Sequence, residues 1–209
     1  MISNEVIDEF SFIVACENND FETCKDIIKN IDVNKENDNG WTLLHHAADC
    51  GNLECCKLLL ENGADVNYKT HGGTTPLHLS CLNGDLVTTQ IFIEYGADID
   101  AQDKQGNSPL HRAISYNGNT SCVYFLLIQP SININIQNNK AETPFHLCCK
   151  YGSIECFQTM LYFSPGIDMV TKYGDTAFDI LRREHRFILL NQLLEYKHSG
   201  KSTEDCSIQ

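Results

Sequence analysis

Gly73-Thr74-Thr75-Pro76-Leu77-His78 is followed by Gly84, by Ile91-Phe92-Ile93 and by Gly96-Ala97-Asp98-Ile99-Asp100. The same order stands one period earlier as Gly40-Trp41-Thr42-Leu43-Leu44-His45, Gly51, Leu58-Leu59-Leu60 and Gly63-Ala64-Asp65-Val66-Asn67. It returns as Gly106-Asn107-Ser108-Pro109-Leu110-His111 with Gly118, as Thr143-Pro144-Phe145-His146 with Gly152, and as Gly174-Asp175-Thr176-Ala177-Phe178-Asp179. The anchor hydroxyls fall at 42, 75, 108, 143 and 176, in steps of 33, 33, 35 and 33. The long step holds two single insertions, near Asn117 and near Pro130-Ser131.

Each copy carries its own instructions for two short helices. Thr42 and Thr75 offer a hydroxyl to cap a helix start, and Pro76, Pro109 and Pro144 suit the first turn, where no amide partner is required. Leu44, Leu77 and Leu110 together with Ala47 and Ala113 are spaced to share one buried face. Gly51, Gly84, Gly118 and Gly152 are read as left-handed stops of the first helix. The Leu-Leu-Leu or Ile-Phe-Ile run lies on a second helix that Gly63 or Gly96 ends. Segments such as Asn37-Asp38-Asn39-Gly40 supply the turn of a hairpin finger.

The period and the Thr-Pro-Leu-His core resemble the ankyrin repeat, and the resemblance covers residues 5–196, nearly the whole chain. It implies an all-α solenoid of six helix-turn-helix units with hairpin fingers. The expected boundaries are 1–34 for an amino-terminal cap, 35–67, 68–100, 101–135 and 136–168 for full repeats, 169–196 for a carboxy-terminal cap and 197–209 for a disordered tail. The first unit (Phe12 to Cys16, Phe21 to Ile28, Asp32-Val33-Asn34) lacks the signature, and the last replaces its histidine with Asp179 and its central glycine with His185. Both departures suit terminal units, which need a polar outer face.

The chain of 209 residues has a net charge of −13. Such acidity disfavours nucleic acid and anionic lipid as partners. Residues 1–67 hold fourteen acids against four bases, whereas the remainder holds fourteen against eleven. The first part is therefore expected to attract a basic segment of a partner protein. No run of about 18 apolar residues exists to span a membrane. Met1 to Asp20 carries five acids and no Lys or Arg, the reverse of an export signal. The eleven cysteines are thus expected reduced, in the cytoplasm or nucleus.

Some chemistry looks tempting and dissolves in the repeat. His45, His78, His111 and His146 share one register position, so stacking places them in a row rather than around an ion; the resemblance implies hydrogen bonds to neighbouring turns. Cys55-Cys56 and Cys148-Cys149 lack C-x-x-C spacing, and with Cys24, Cys81, Cys122 and Cys156 they occupy positions where small apolar residues belong. Cys50 and Cys206 are expected exposed. Arg182-Arg183-x-x-Arg186 is read as a solvated cap face in preference to a phosphate patch. No nucleophile elbow, phosphate loop or carboxylate pair is present, so neither enzyme activity, metal nor cofactor is expected.

The resemblance implies a concave surface lined by finger tips and by the outward positions of the first helices. The register fills those positions with Trp41, His46, Tyr68, Leu79, Leu82, Arg112, Tyr116, Leu147 and Tyr151. Aromatic residues and arginine are enriched in binding hot spots. The expected function is a monomeric protein-binding module acting as scaffold, assembly chaperone or inhibitor; the alternative is an adaptor that recruits a substrate to a ligase or transferase.

Overall fold

In a computed structural model, residues 9–115 and 120–199 are described. Among them the chain forms twelve α-helices and no strand. They fall into six pairs: α1 (Glu9–Glu17) with α2 (Phe21–Ile27), α3 (Leu43–Asp49) with α4 (Leu53–Glu61), and α5 (Pro76–Asn83) with α6 (Leu86–Glu94). Then come α7 (Pro109–Ser115) with α8 (Thr120–Leu127), α9 (Pro144–Tyr151) with α10 (Ile154–Tyr162), and α11 (Ala177–Arg183) with α12 (Phe187–His198).

The caps are those the sequence requires. The Thr42, Thr75, Thr143 and Thr176 side chains each form a capping box with the residue three places on. The second helices begin on Asp20, Asn52, Asp85 and Ser153, whose side chains accept from backbone N–H groups of the first turn. Seven to twelve residues are too few to hold a helix alone, so packing must supply the stability. First helices stack on first helices, α3 on α5, α5 on α7 and α7 on α9, and second helices do the same. Leu44, Leu77, Leu110 and Phe145 occupy one register position through four units and are almost wholly buried. Each such side chain contributes about 1.5–3 kcal/mol relative to exposure.

Two polar ladders lock the register between units. Finger tips exchange backbone bonds: His71 N–H to Asn39 O (3.0 Å), Lys104 N–H to Gly72 O (2.8 Å), Asn139 N–H to Gln105 O (3.0 Å) and Lys172 N–H to Lys140 O (2.8 Å). Behind the fingers, the Asn34 amide donates to Gly63 O and accepts from Asp65 N–H, and Asn67 repeats the pattern on Gly96 O and Asp98 N–H.

The structure departs from the sequence reading at three backbone sites. Gly51 and Gly84 are left-handed as expected, but Gly152 is extended at φ −64° and ψ 152°. Its lack of a side chain serves a close approach instead: a Cβ there would lie 2.7 Å from the Cys148 carbonyl oxygen and Sγ. Gly118 lies outside the described residues. Ala141, at φ 54°, takes the left-handed finger position that Gly40, Gly73, Gly106 and Gly174 hold in the other units. Finally, α12 continues through Lys197 and His198, with Lys197 on Asp168 at 2.7 Å, past the point where the disordered tail was expected to begin.

Candidate functional site

The histidine row is structural. His45 Nδ1 accepts from Thr42 N–H at 3.2 Å, and its Nε2 lies 3.0 Å from Thr74 O in the next unit. His78 bridges to Asn107 O and His111 to Glu142 O, both at 3.0 Å. His146 reaches Met169 O at 3.0 Å, earlier in the following finger than its counterparts do. Burial pushes His45 and His111 down to about 4, and lowers His78 and His146 in the same direction. All four therefore stay neutral at pH 7, each ring linking two units.

The thiols are structural as well. Nine of the ten described cysteines are buried and none of the ten is in a disulfide; Cys24 and Cys55, like Cys148 and Cys156, meet sulfur to sulfur at 3.6 Å. Burial raises Cys24 to about 12 and Cys122 to about 11. Cys50 is exposed as expected, yet partial burial and the carboxylates Glu17 and Asp49 raise its thiol too, which disfavours the reactive thiolate. Cys206 lies outside the described residues. Among those described, no cluster of His, Cys, Asp or Glu has the arrangement of a metal site.

What remains open lies between the fingers and the ends of the first helices. At the amino-terminal end Trp41 is half-buried, its ring 5.0 Å from His46 and 6.0 Å from His45. Burial lowers His46, and its Nε2 lies 3.4 Å from the Asn37 amide. Tyr68 packs edge-on to His45 at 6.3 Å and donates its hydroxyl to Glu36 at 2.6 Å. At the other end Leu147 and Tyr151 line a cleft of about 310 Å³ with Lys104, Lys140 and Lys150. Tyr151 is 53% exposed, and the Lys150 ammonium sits 4.8 Å above its ring.

Other expected contact residues are less available. Leu79 and Leu147 are each only 7% exposed, a correction to their reading as outward positions. A first helix packed between two others buries most of its circumference, so in these two units only an edge of the side chain stays open, as where Leu147 borders the cleft. Leu82 is half-buried. Arg112 is committed within its own unit: Nε bonds Asp103 Oδ2 at 3.1 Å and Nη2 bonds the same oxygen. Asp103, wholly buried by side chain, also accepts from Gln105 and Asn107 N–H at the base of its finger. Tyr116 lies outside the described residues.

The basic cluster near the end is largely engaged in the stack. Arg186 donates to the Cys148, Cys149 and Gly152 carbonyls and ties the last unit to the one before. Arg183 pairs with Asp175 at 2.8 Å. The sequence reading also missed an apolar strip on the outer helices, where Tyr124 and Ile128 border a cleft of about 480 Å³ and Val87 and Tyr162 are exposed. Its signal was the near absence of charge in Leu86–Glu94 and Thr120–Leu127, masked because such runs also describe core.

The family model for ankyrin repeats (3 copies) matches residues 12–103, 68–138 and 110–203. The chain belongs to the ankyrin repeat family, whose fold is a protein-interaction module. Among solved structures it is similar to the human ASB11 ankyrin repeat domain, at 28% identity and a TM-score of 0.79 over 88% of this chain and 82% of that one. It is similar also to a chain in the complex of the predatory endopeptidase Bd0816 from Bdellovibrio bacteriovorus with immunity protein Bd3460, at 25% identity and a TM-score of 0.79, covering 88% and 97%. Shorter stretches match the mouse (Mus musculus) SMC5-SMC6 complex localization factor protein 1, 43% identical over 47 residues, and ankyrin repeat domain-containing protein 37 of Xenopus tropicalis, 36% over 59 residues. These stretches span 22% and 27% of this chain but only 4% and 36% of those relatives.

Proposed function

We propose that this chain is a non-enzymatic, monomeric module that grips a partner protein in the groove between its fingers and first helices, as a scaffold, assembly chaperone or inhibitor. One observation carries the reading. The side chains that resemble catalytic groups are taken up by the stack, the four histidines by hydrogen bonds between units and nine thiols by burial, whereas Trp41 is half-exposed and Tyr151 exposed toward one groove. Large amphipathic rings held on a rigid scaffold are the usual anchors of a protein interface. The solved complex between an endopeptidase and its immunity protein, to which this fold is similar, supports a role of this kind.

Trp41, His46, Tyr68 and Leu82 form the amino-terminal contact set in this reading, and Tyr151 with the edge of Leu147 the carboxy-terminal one. Tyr116 extends the row on sequence register alone, and Arg112 acts by holding its finger in place. Glu17 and Asp49 favour a partner with a basic segment, and the same acidity disfavours nucleic acid and anionic membrane. Among the described residues no helix is long and apolar enough to cross a membrane. Cysteines that serve as small apolar core residues suit the cytoplasm or nucleus.

Affinity capture from the native cell tests the reading. Trp41→Ala with Tyr151→Ala should lose the captured partner and leave the melting temperature within a few degrees of wild type. Capture unchanged by the double variant, or lost only because the protein unfolds, would refute it.

A further inference from the structure

The charges along the groove are sorted by sign. One register position, at the carboxy-terminal end of each first helix, reads Glu17, Asp49, Leu82, Ser115, Lys150 and Arg183 from unit to unit. The opposite wall shows the same order in its finger tips, with Asp38 and His71 first, then Lys104, Lys140 beside Asn139, and Lys172. Helix ends and finger tips are independent segments of each unit, and both run from acid to base.

The charges of each sign cluster. Glu17 and Asp49 end the neighbouring first helices α1 and α3, which pack against each other, and Asp49 lies one helical turn beyond His46, whose ring is 5.0 Å from Trp41. Lys104, Lys140 and Lys150 line one cleft, floored by Asn107, Asn138 and Tyr151. Among the described residues, none of Glu17, Asp38, Asp49, Lys104, Lys140 or Lys150 belongs to an ion pair. Of the acids near the lysines, Asp175 is held by Arg183, which also approaches Glu184; Glu142 lines the same cleft and accepts from the Asn138 amide, so three lysines face one carboxylate there. Outside the groove, Lys25, Lys29, Lys35 and Lys57 are each paired with a carboxylate.

We propose that the groove binds a partner segment in one direction, with a cationic stretch over Glu17, Asp38 and Asp49 and a carboxylate-bearing stretch over Lys104, Lys140 and Lys150. The inference rests on the groove reading above and adds the second charge and the polarity. Complementary charge fixes register and suppresses wrong orientations more than it adds affinity. It also sets a spacing. From α3 to α9 is three first-helix steps of about 8–10 Å each. An extended segment rising about 3.3 Å per residue therefore needs roughly eight residues between its two charged stretches.

The test uses two nitroxide-labelled peptides of one sequence: five lysines, eight uncharged Gly, Ser and Leu residues, then five glutamates. One carries the label at the lysine end and the other at the glutamate end. Amide resonances of the full-length protein are recorded in low salt. The glutamate-end label should broaden Lys140 and Lys150 and spare Asp49, and the lysine-end label should do the reverse. Lys104→Glu with Lys140→Glu and Lys150→Glu should weaken binding at least about tenfold; the matching Gln variant guards against misfolding and should weaken it less. Equal broadening of both ends by both labels, or no binding, would overturn the polarity and leave the groove reading to its own capture experiment. Broadening confined to Val87 and Tyr124 on the outer face would overturn both.

Discussion

The finger position that contains Ala141 offers a reciprocal substitution whose sign differs between two units. Gly106 and Ala141 are equivalent, and both are left-handed, at φ 76° and 54°. An L-residue in that conformation costs about 1–2 kcal/mol. Ala141→Gly removes this strain but frees the unfolded chain by about 0.4–1 kcal/mol, so the net gain is about 0.5–1 kcal/mol. Gly106→Ala adds the strain and a collision, because its Cβ would lie 2.7 Å from Asn139 N and Oδ1. Its cost should reach about 3 kcal/mol, since the neighbouring tip must move to relieve the overlap. Gly96→Ala is the control: it is left-handed at φ 83° with nothing within 4 Å, so about 1 kcal/mol is expected. For a chain of this size 1 kcal/mol corresponds to about 2–4 °C in Tm. Thermal melts by circular dichroism should rank the variants Ala141→Gly, wild type, Gly96→Ala, Gly106→Ala from most to least stable. Loss of stability in Ala141→Gly, or equal loss in the two Gly→Ala variants, would show that finger conformation does not control the stack.

Acid should unstack the repeats through their histidines. The folded rings resist protonation until about pH 4, whereas the unfolded chain takes protons near 6.5. The contribution is thus fully present above the unfolded value and falls as pH drops, by about 2 kcal/mol for each of His45 and His111 at pH 5. Urea midpoints at pH 7 and pH 5 should separate in wild type and lie closer together in His45→Gln with His111→Gln, where His78 and His146 still contribute; equal separation in the variant would contradict this. Arg112→Ala, which leaves the buried Asp103 without its guanidinium, should cost about 2 kcal/mol in a melt, and Arg112→Lys should restore only part because one ammonium replaces two donors. Full rescue by lysine would reduce the pair to simple charge. Asp100 replaces the inter-unit asparagine: it accepts from Asn133 N–H at 3.0 Å, and burial raises its carboxyl above the usual range. Asp100→Asn supplies the donor that Asn34 and Asn67 have, so Tm should rise by a few degrees; a fall would show that the charge has a role.

The period alone conveyed the architecture, because each unit repeats its caps, its apolar face and its turn glycines at one spacing. The histidine row was legible for the same reason: equivalent positions in a stack cannot converge. Burial at Leu79 and Leu147 was harder to foresee, since whether an outward position is covered depends on how closely the next unit packs. The same holds for Arg112, whose partner Asp103 lies nine residues away across a finger. Gly152 conformed to the pattern in identity but not in conformation, because the close approach of Cys148 imposes the same residue for another reason. The charge ordering of the groove was half visible as an excess of acid in the first 67 residues. Its second half required knowing that Lys104, Lys140 and Lys150 share a cleft.

The groove itself can be tested by placing a photoreactive benzoylphenylalanine at Tyr151 or at Tyr124 and irradiating the living cell. Reaction from Tyr151, with none from Tyr124 on the outer helices, is the predicted result, and the adduct should disappear when Trp41→Ala is added. An adduct from Tyr124 alone would place the partner on the other side of the solenoid and contradict the account.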